Sequence, residues 1–327
     1  MDMKKILIIN RLGIGDVVLT TPLAQAIKEA IPTATIGILV SQKAVDVVKY
    51  HPYIDDVFSY QRTTKKEILA QIRSKKYDEA LIIDERITST ILAFQAGCRL
   101  LNKGFEVTVG KYRIFIRKKL AENAILDYTS YLGYLDPTIR IPNIKPIVGS
   151  VDAGSIDKIN KWLQKNDFLT KKLILIAAKG LSENKNWPPE HFAELNSYLN
   201  KQGIMPVYLG SKNDERYIDS IAGEKYNAAG YFNLREVAIL AQHAAGCISL
   251  CTGVMHIVAT ANTPIIALYG PTSPERWAPA HATVIKADLP CVPCKRLDCS
   301  NSVFRQCMMD ISPQQVVDMI EAKGWLK

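Results

Sequence analysis

No stretch of this chain reaches eighteen consecutive apolar residues, although 48% of its 327 residues are hydrophobic. The sequence therefore lacks the pattern of a transmembrane helix. The N-terminal residues MDMKKILIIN hold an apolar run that is too short for a signal peptide and that continues into a strand pattern. Low-complexity tracts and short-period repeats are also missing. We therefore expect a globular protein of the cytoplasm.

A second absence concerns the glycine turn NRLGIGDVVLTTPL near the N-terminus. The dinucleotide-binding fingerprint needs a third glycine after Gly13 and Gly15, and Val18 occupies that position. This disfavours a nicotinamide-dependent dehydrogenase. The turn instead ends in a carboxylate, Asp16, which would repel a phosphate. From the residues alone, Asp16 is either the cap of the following helix or an acid that the turn presents for chemistry.

Acidic residues are fewer than basic ones, 32 against 41, which gives a net charge of +9. Residues 1–150 hold 22 basic and 15 acidic side chains and so carry +7 of that charge. This bias indicates a phosphorylated, nucleic-acid or membrane partner, or else a solvated basic surface. Its densest part is KYRIFIRKK, at 111–119. Alternating aromatic and basic residues fit either an RNA-stacking face or the half-buried edge of a strand or helix.

Strand and helix patterns alternate along the chain. KKILIIN, TATIGILV, IDDVFSY and DEALIID are strand patterns, each followed by a helix pattern, and Asp84 ends the fourth. This order predicts an α/β protein with a parallel sheet covered on both faces, whose ligands bind at the carboxyl ends of the strands. Residues 136–155 contain three prolines and connect to a second such series. We therefore predict two domains, 1–150 and 151–327.

The second series contains a candidate anion site. The strand pattern GCISL leads into the turn Cys251–Gly253 and then a helix, while the next strand pattern ends at Gly270. Two adjacent strand ends form a crevice, and a helix N-terminus favours an anion such as a diphosphate. Ordinary connections between a strand and a helix also use Gly and Thr. Lys185 is either near this crevice or solvated, and Asp214 and Glu215 are weak candidates for a ribose contact.

Taken together, four segments resemble family 9 glycosyltransferases, the heptosyltransferases of lipopolysaccharide core assembly. They are GIGDVVLTTPL, NKNWPPEHFAEL, TGVMHIVATANTPIIALYGPTSPERWAP and CVPCKRLDCSNSVFRQCMMDISPQQV, and the third is the most specific. The resemblance spans nearly the whole chain. It implies a GT-B fold, in which two Rossmann-like domains with parallel sheets face a central cleft that holds the active site. The last helix of such a protein can pack back on the first domain.

The resemblance also implies an activity. It is the inverting, metal-independent transfer of a heptose from ADP-heptose to an inner-core lipopolysaccharide acceptor. The acceptor is anionic and lipid-linked and would face the N-terminal domain, whereas the donor would bind the C-terminal domain. The partners implied are these two substrates and the surface of the inner membrane, at which the protein would be peripheral, with no nucleic acid. No cofactor is expected for catalysis.

Roles for single residues follow from the same resemblance. Asp16 would be the general base that takes the acceptor's proton. Lys185 would neutralise charge on the leaving diphosphate. The implied donor contacts are Gly15, Glu215 or its neighbour Asp214, Cys251, Thr252, Gly253, Met255 and His256.

One position departs from the family. Cys251 stands where the family usually has an aspartate that is thought to contact the hydroxyls of the donor sugar, and a cysteine is a poor hydrogen-bond acceptor. Two alternatives therefore stay open beside a heptosyltransferase. One is a family 9 transferase for a different nucleotide sugar, and the other is a relative that binds a nucleotide sugar without catalysis.

Four cysteines lie close together in the sequence, with the spacing C-x2-C-x4-C-x7-C. Four thiolates at such spacing can hold a structural Zn or Fe ion. Free thiols are an equal alternative, and disulfides are less favoured in a reducing compartment. The cysteines concerned are Cys291, Cys294, Cys299 and Cys307.

Overall fold

A computed structural model describes residues 4–102, 104–109, 112–117, 121–139, 144–296 and 298–326, with the backbone alone at 104–109 and 112–117. The chain divides into two compact units, Met1–Ser150 and Val151–Lys327. The division falls inside the proline-containing connection at 136–155.

The first unit contains a five-stranded parallel sheet in the order β3-β2-β1-β4-β5. This sheet is covered on both faces. Successive side chains of its first strand point to opposite faces, and Ile6, Leu7, Ile8 and Ile9 are all fully buried. The strands are β1 (Lys5–Asn10), β2 (Thr35–Ser41), β3 (Asp56–Tyr60), β4 (Glu79–Ile82) and β5 (Arg99–Leu101). The helices are α1 (Ile14–Ala30), α2 (Val45–Val48), α3 (Lys65–Lys75), α4 (Ile87–Gln95), α5 (Ala124–Thr129) and α6 (Leu132–Leu135).

An antiparallel hairpin accompanies this sheet, formed by β6 (Gly104–Val109) and β7 (Tyr112–Arg117). The alternation in KYRIFIRKK therefore marks a strand. Lys111, Lys118 and Lys119 of that basic cluster lie outside the described residues, so the choice between an RNA-stacking face and a half-buried edge stays a prediction.

The second unit contains a six-stranded parallel sheet in the order β10-β9-β8-β11-β12-β13. The strands are β8 (Leu173–Ala177), β9 (Val207–Tyr208), β10 (Tyr226–Asn227), β11 (Ala244–Leu250), β12 (Ile265–Tyr269) and β13 (Ala282–Lys286). The helices are α7 (Ala153–Lys165), α8 (Pro189–Lys201), α9 (Glu215–Ser220), α10 (Leu234–Gln242), α11 (Gly253–Ala259), α12 (Pro274–Trp277), α13 (Gln306–Met309) and α14 (Pro313–Ala322). Within the described ranges, no helix is both long and apolar enough to cross a bilayer.

The last helix belongs to the core of the second unit. It packs on α8, with Val316 and Ile320 fully buried. Trp325, just beyond it, closes over Gly246 so tightly that a Cβ added there would lie 2.3 Å from the indole. Gly246 therefore lets the end of the chain approach β11 closely.

Both sheets have a point where the strand order reverses, between β1 and β4 in the first unit and between β8 and β11 in the second. Ligands of open parallel sheets bind at such points, outside the carboxyl ends of the strands. The turn with Asp16 follows β1, and Asp84 follows β4. Likewise, the loop with Lys185 follows β8 and the turn at Cys251 follows β11. The topology thus selects the same segments as the sequence motifs.

Candidate active site

Asp16 is the third residue of α1, and both of its carboxylate oxygens accept hydrogen bonds. The backbone N–H of Gly13, the residue before the first turn of the helix, donates to Oδ2 at 3.2 Å, so Asp16 satisfies one of the free N–H groups at the start of α1. The hydroxyl of Tyr128 donates to Oδ1 at 2.7 Å. The capping role is therefore present in the structure. Capping alone does not use the full acceptor capacity of the Asp16 carboxylate, because each carboxylate oxygen has two lone pairs.

The turn that presents Asp16 is tied to the turn after β4. Nε of Arg11 lies 3.1 Å from Oδ2 of Asp84, and both side chains are almost fully buried. The same oxygen accepts from the Ser89 hydroxyl at 2.7 Å, and the other Asp84 oxygen accepts from the Arg86 backbone N–H at 3.1 Å. Asp84 is therefore a buried anchor whose lone pairs are largely used.

In the second unit, the loop that carries Lys185 is pinned on both sides of that residue. Asn186 folds back so that its side-chain oxygen accepts from the Gly180 N–H at 2.7 Å. The fully buried Trp187 donates to the carbonyl of Ile311 at 2.8 Å. Asn184 donates to the carbonyl of Arg296 at 3.1 Å. Lys185 itself is partly exposed, so this pinned loop carries a solvent-accessible lysine on the chain that follows β8.

The turn after β11 brings Cys251, Thr252 and Gly253 to the neighbouring strand end, all of them partly exposed. The Thr252 hydroxyl accepts from the Met255 N–H at a long 3.4 Å and so caps α11. Tyr269, at the end of β12, lies close to Cys251. Burial, followed by the Cys251 thiol, raises the pKa of Tyr269 well above its usual range.

Met255 and His256, two residues expected to contact the donor, have buried side chains. Met255 is fully buried and accepts a weak hydrogen bond from the Tyr269 hydroxyl at 3.8 Å. A direct contact of its side chain with a ligand is not compatible with this burial, because residues of the core cover it on every side. His256 is 4% exposed, and burial lowers the pKa of its imidazole to about 4, so the ring is neutral at pH 7.

The structure separates the roles of Asp214 and Glu215. Asp214 caps a short turn, because its Oδ2 accepts from both the N–H and the hydroxyl of Ser211, at 2.8 and 2.7 Å. Glu215 begins α9 with a side chain that is 41% exposed and ion-paired with Lys212. Because the Asp214 carboxylate is used as a cap, Glu215 is the better candidate of the two for a ribose contact.

The four clustered cysteines line one cavity of about 350 Å³. Among the described residues, no group of three or more His, Cys, Asp or Glu side chains is placed to hold a metal ion, so the expected structural Zn or Fe site is not supported. All four are free thiols. Burial, together with the three other cysteines, raises the pKa of Cys307 to about 11, so its thiol is protonated at neutral pH.

The segment that carries these cysteines supports the two donor-side loops. The N–H of Lys295 donates to the carbonyl of Pro271 at 2.6 Å, beside the turn after β12. Gly270 in that turn has no room for a side chain, because an added Cβ would lie 2.8 Å from the Cys307 sulfur. Arg296, from the same segment, accepts the hydrogen bond from Asn184. The cysteine segment is therefore a scaffold beneath the turn after β12 and the Lys185 loop.

Comparison with known proteins agrees with the fold and the motifs. The sequence profile of glycosyltransferase family 9 (heptosyltransferase) matches residues 66–304. The lipooligosaccharide heptosyltransferase 2 of Haemophilus influenzae is 24% identical over 344 residues, which cover 96% of this chain and 98% of the relative. The crystal structure of a family 9 glycosyltransferase from Veillonella parvula superposes with a TM-score of 0.80 at 22% identity, covering 98% of this chain and 97% of that one.

A second solved structure, the ADP-heptose lipopolysaccharide heptosyltransferase II of Escherichia coli, superposes with a TM-score of 0.76 at 21% identity and covers 98% of both chains. Both superpositions extend over the first unit, which the matched profile covers only from residue 66 onward. Asp16 therefore lies outside the profile match but inside the region of shared fold.

Proposed function

Because the chain belongs to glycosyltransferase family 9, the heptosyltransferases, and is thus a GT-B glycosyltransferase, we propose that it moves a heptose from ADP-heptose to an inner-core acceptor of lipopolysaccharide. The transfer inverts the anomeric centre and needs no metal. The observation that carries this proposal is the pair of strand-order reversals, each of which has the motif residues at its carboxyl ends. The names of the relatives supply the sugar and the acceptor class.

In the proposed reaction, the first unit provides the base. An acceptor hydroxyl gives its proton to the carboxylate of Asp16 as its oxygen bonds to the anomeric carbon of the donor. The bond from that carbon to the diphosphate oxygen breaks, and the leaving ADP takes the electron pair. A carboxylate suits this step because positive charge develops on the sugar ring in the transition state.

The second unit provides the donor site of the proposal. Lys185 compensates the negative charge that grows on the leaving diphosphate. Backbone groups of Thr252 and Gly253 hold that diphosphate, and Glu215 accepts hydrogen bonds from the ribose. The implied donor contact of Gly15 rests on the family resemblance alone.

The acceptor side of the proposal follows from charge. Inner-core acceptors carry phosphate and carboxylate groups on a lipid, and residues 1–150 carry a net charge of +7. Attraction between them would raise the local concentration of the acceptor and bring the protein to the inner-membrane surface, on the cytoplasmic side.

A second candidate function is favoured by one observation. Cys251, which replaces the usual sugar-binding acid, lies beside the buried Tyr269 and is a poor acceptor for sugar hydroxyls. This pair suits a family 9 transferase whose donor carries a different sugar. The chemistry at Asp16 would be unchanged.

The test combines a donor panel with two matched variants. Thermal shifts with ADP, UDP and GDP identify the nucleotide, and release of ADP from ADP-heptose with a heptose-free inner-core acceptor measures transfer. Asp16→Asn keeps a capping oxygen but removes the base, so turnover should fall by about 10²–10⁴-fold while ADP affinity stays constant.

The matched control is Asp152→Asn, because the Asp152 carboxylate caps α7 by accepting the Ser155 N–H at 2.8 Å. If both variants lose a little stability and keep near-normal turnover, Asp16 is only a cap and the proposed mechanism is wrong. Stabilisation by UDP or GDP instead of ADP would support the second candidate.

A further inference from the structure

Tyr128 bonds to the Asp16 carboxylate from outside the turn. Its hydroxyl donates to Oδ1 at 2.7 Å across a sequence separation of 112 residues. The phenol ring is 5% exposed and sits on α5, which packs along α1. A short hydrogen bond between a buried donor and a charged acceptor is of the stronger kind.

The two bonds to Asp16 come from different directions and fix the carboxylate plane. Gly13 holds Oδ2 from within the turn, and Tyr128 holds Oδ1 from the neighbouring helix. A carboxylate held by the turn alone can rotate about its terminal torsion, which is broad. With both oxygens bound, the Asp16 carboxylate keeps one orientation.

We propose that Tyr128 is a positioning residue that orients the Asp16 carboxylate for proton transfer from the acceptor. This proposal rests on the assignment of Asp16 as the base. The hydroxyl stabilises the charged carboxylate because it donates to it, so losing the hydroxyl favours the protonated form.

The other ionisable groups of the adjoining turns do not replace this role. Arg11 and Asp84 are paired with each other, and the Arg86 guanidinium donates to the carbonyl of Arg11 at 3.4 Å. Asp127 and Glu85 are both about 5% exposed, so they are covered by other residues of the unit. From α5, the Tyr128 hydroxyl reaches the Asp16 carboxylate.

Tyr128→Phe tests the proposal because it removes the hydroxyl and keeps the ring. We expect kcat to fall about tenfold, KM for the donor to stay constant, and the acid limb of the pH–rate profile to move up by about one pH unit. Tyr131→Phe is the matched control. The Tyr131 ring is 1% exposed, and its hydroxyl donates to the carbonyl of Ile82 at 2.8 Å, so this variant also loses one buried hydrogen bond of the same unit.

The control should lose melting temperature without any change in kcat or in the acid limb. If Tyr128→Phe behaves in the same way, Tyr128 is only structural and the proposal is overturned. A double-mutant cycle gives an independent readout: in an Asp16→Asn background, Tyr128→Phe should have no further effect on kcat, whereas an unchanged tenfold loss would show that Tyr128 does not act through Asp16. Normal turnover of Asp16→Asn alone would overturn the base assignment instead.

Discussion

Cys251 and Tyr269 form the pair of residues that bears most directly on the choice of donor sugar. The tyrosine is fully buried at the end of β12, and the thiol is partly exposed at the end of β11. A thiol is a weak acceptor for sugar hydroxyls. The pair therefore gives the strand end a neutral, weakly polar surface where the family usually has a negative charge.

Cys251→Asp restores a carboxylate at this position. If the enzyme uses ADP-heptose, the new charge can accept hydrogen bonds from the sugar, each worth roughly 1.5–3 kcal/mol. ADP-heptose should then bind or react about tenfold better, while ADP alone binds as before. Calorimetry with both ligands on both forms measures the difference. The control is Cys247→Ala, because Cys247 is fully buried in the same strand and should leave both affinities unchanged.

The contrary outcome of this experiment is also informative. An enzyme that uses another sugar should lose activity on its own donor, because the acid would meet the wrong group or be left without a partner. Equal affinity for ADP-heptose in the two forms would mean that position 251 does not contact the sugar.

Single residues of the site could be predicted from the sequence when they lie in a motif, and not otherwise. Asp16 and Lys185 stand next to glycines, prolines and strand ends that mark their turns. Tyr128 has no such mark, because its contact with Asp16 depends on how α5 packs against α1. The burial of the Met255 side chain is missed for a related reason, because adjacency to Gly253 does not reveal which side of α11 is buried.

At the scale of elements, the turns after β1 and β4 act as one unit because the Arg11–Asp84 pair joins them. The guanidinium also donates to the Thr88 hydroxyl at 2.6 Å and lies 4.2 Å from the centre of the Tyr60 ring. The ion pair is buried, so removing one partner leaves the other charge without compensation. The position of Asp16 depends on this ion pair, since Arg11 and Gly13 belong to the same turn.

Asp84→Ala should therefore destabilise the first unit by roughly 3–5 kcal/mol. Urea unfolding followed by circular dichroism measures this loss. Lys75→Ala is the control in the same unit, because the Lys75–Asp56 pair is at the surface, with the lysine side chain 51% exposed. Its cost should stay within about 1 kcal/mol. A similar loss of unfolding free energy in the two variants would show that the Arg11–Asp84 ion pair does not stabilise the first unit more than a surface pair does.

The sequence predicted long elements well and short ones poorly. The strands β1, β2, β8 and β12 are continuous apolar runs, and α1, α3 and α8 begin and end within a few residues of their patterns. The two-residue strand β10 carries too few side chains to show a period. The short helices α5 and α6, separated by a break of two residues, are likewise too short to show a clear helical period.

At the scale of the whole molecule, each unit contains one histidine whose imidazole is buried and neutral. His51 in the first unit is 3% exposed, and His256 in the second is 4% exposed. Burial lowers the pKa of both side chains from 6.5 to about 4. The alternation of strands and helices predicts that both units are α/β, but it does not reveal that these two rings lie inside them.

These histidines predict a loss of stability in mild acid. Because the pKa is depressed in the folded chain, the unfolded chain binds a proton below pH 6.5 that the folded chain does not bind until about pH 4. Their contribution to stability is therefore complete above pH 6.5 and declines as the pH falls toward 4. The slope should be on the order of 1 kcal/mol per pH unit for each histidine.

Urea unfolding between pH 7.5 and 5 measures this slope of stability against pH, in a range where most carboxylates stay ionised. His51→Gln and His256→Gln should each flatten the response, and His243→Gln, at an exposed position, should leave it unchanged. A wild-type stability that is constant from pH 7.5 to 5 would contradict the neutral, buried state of both rings.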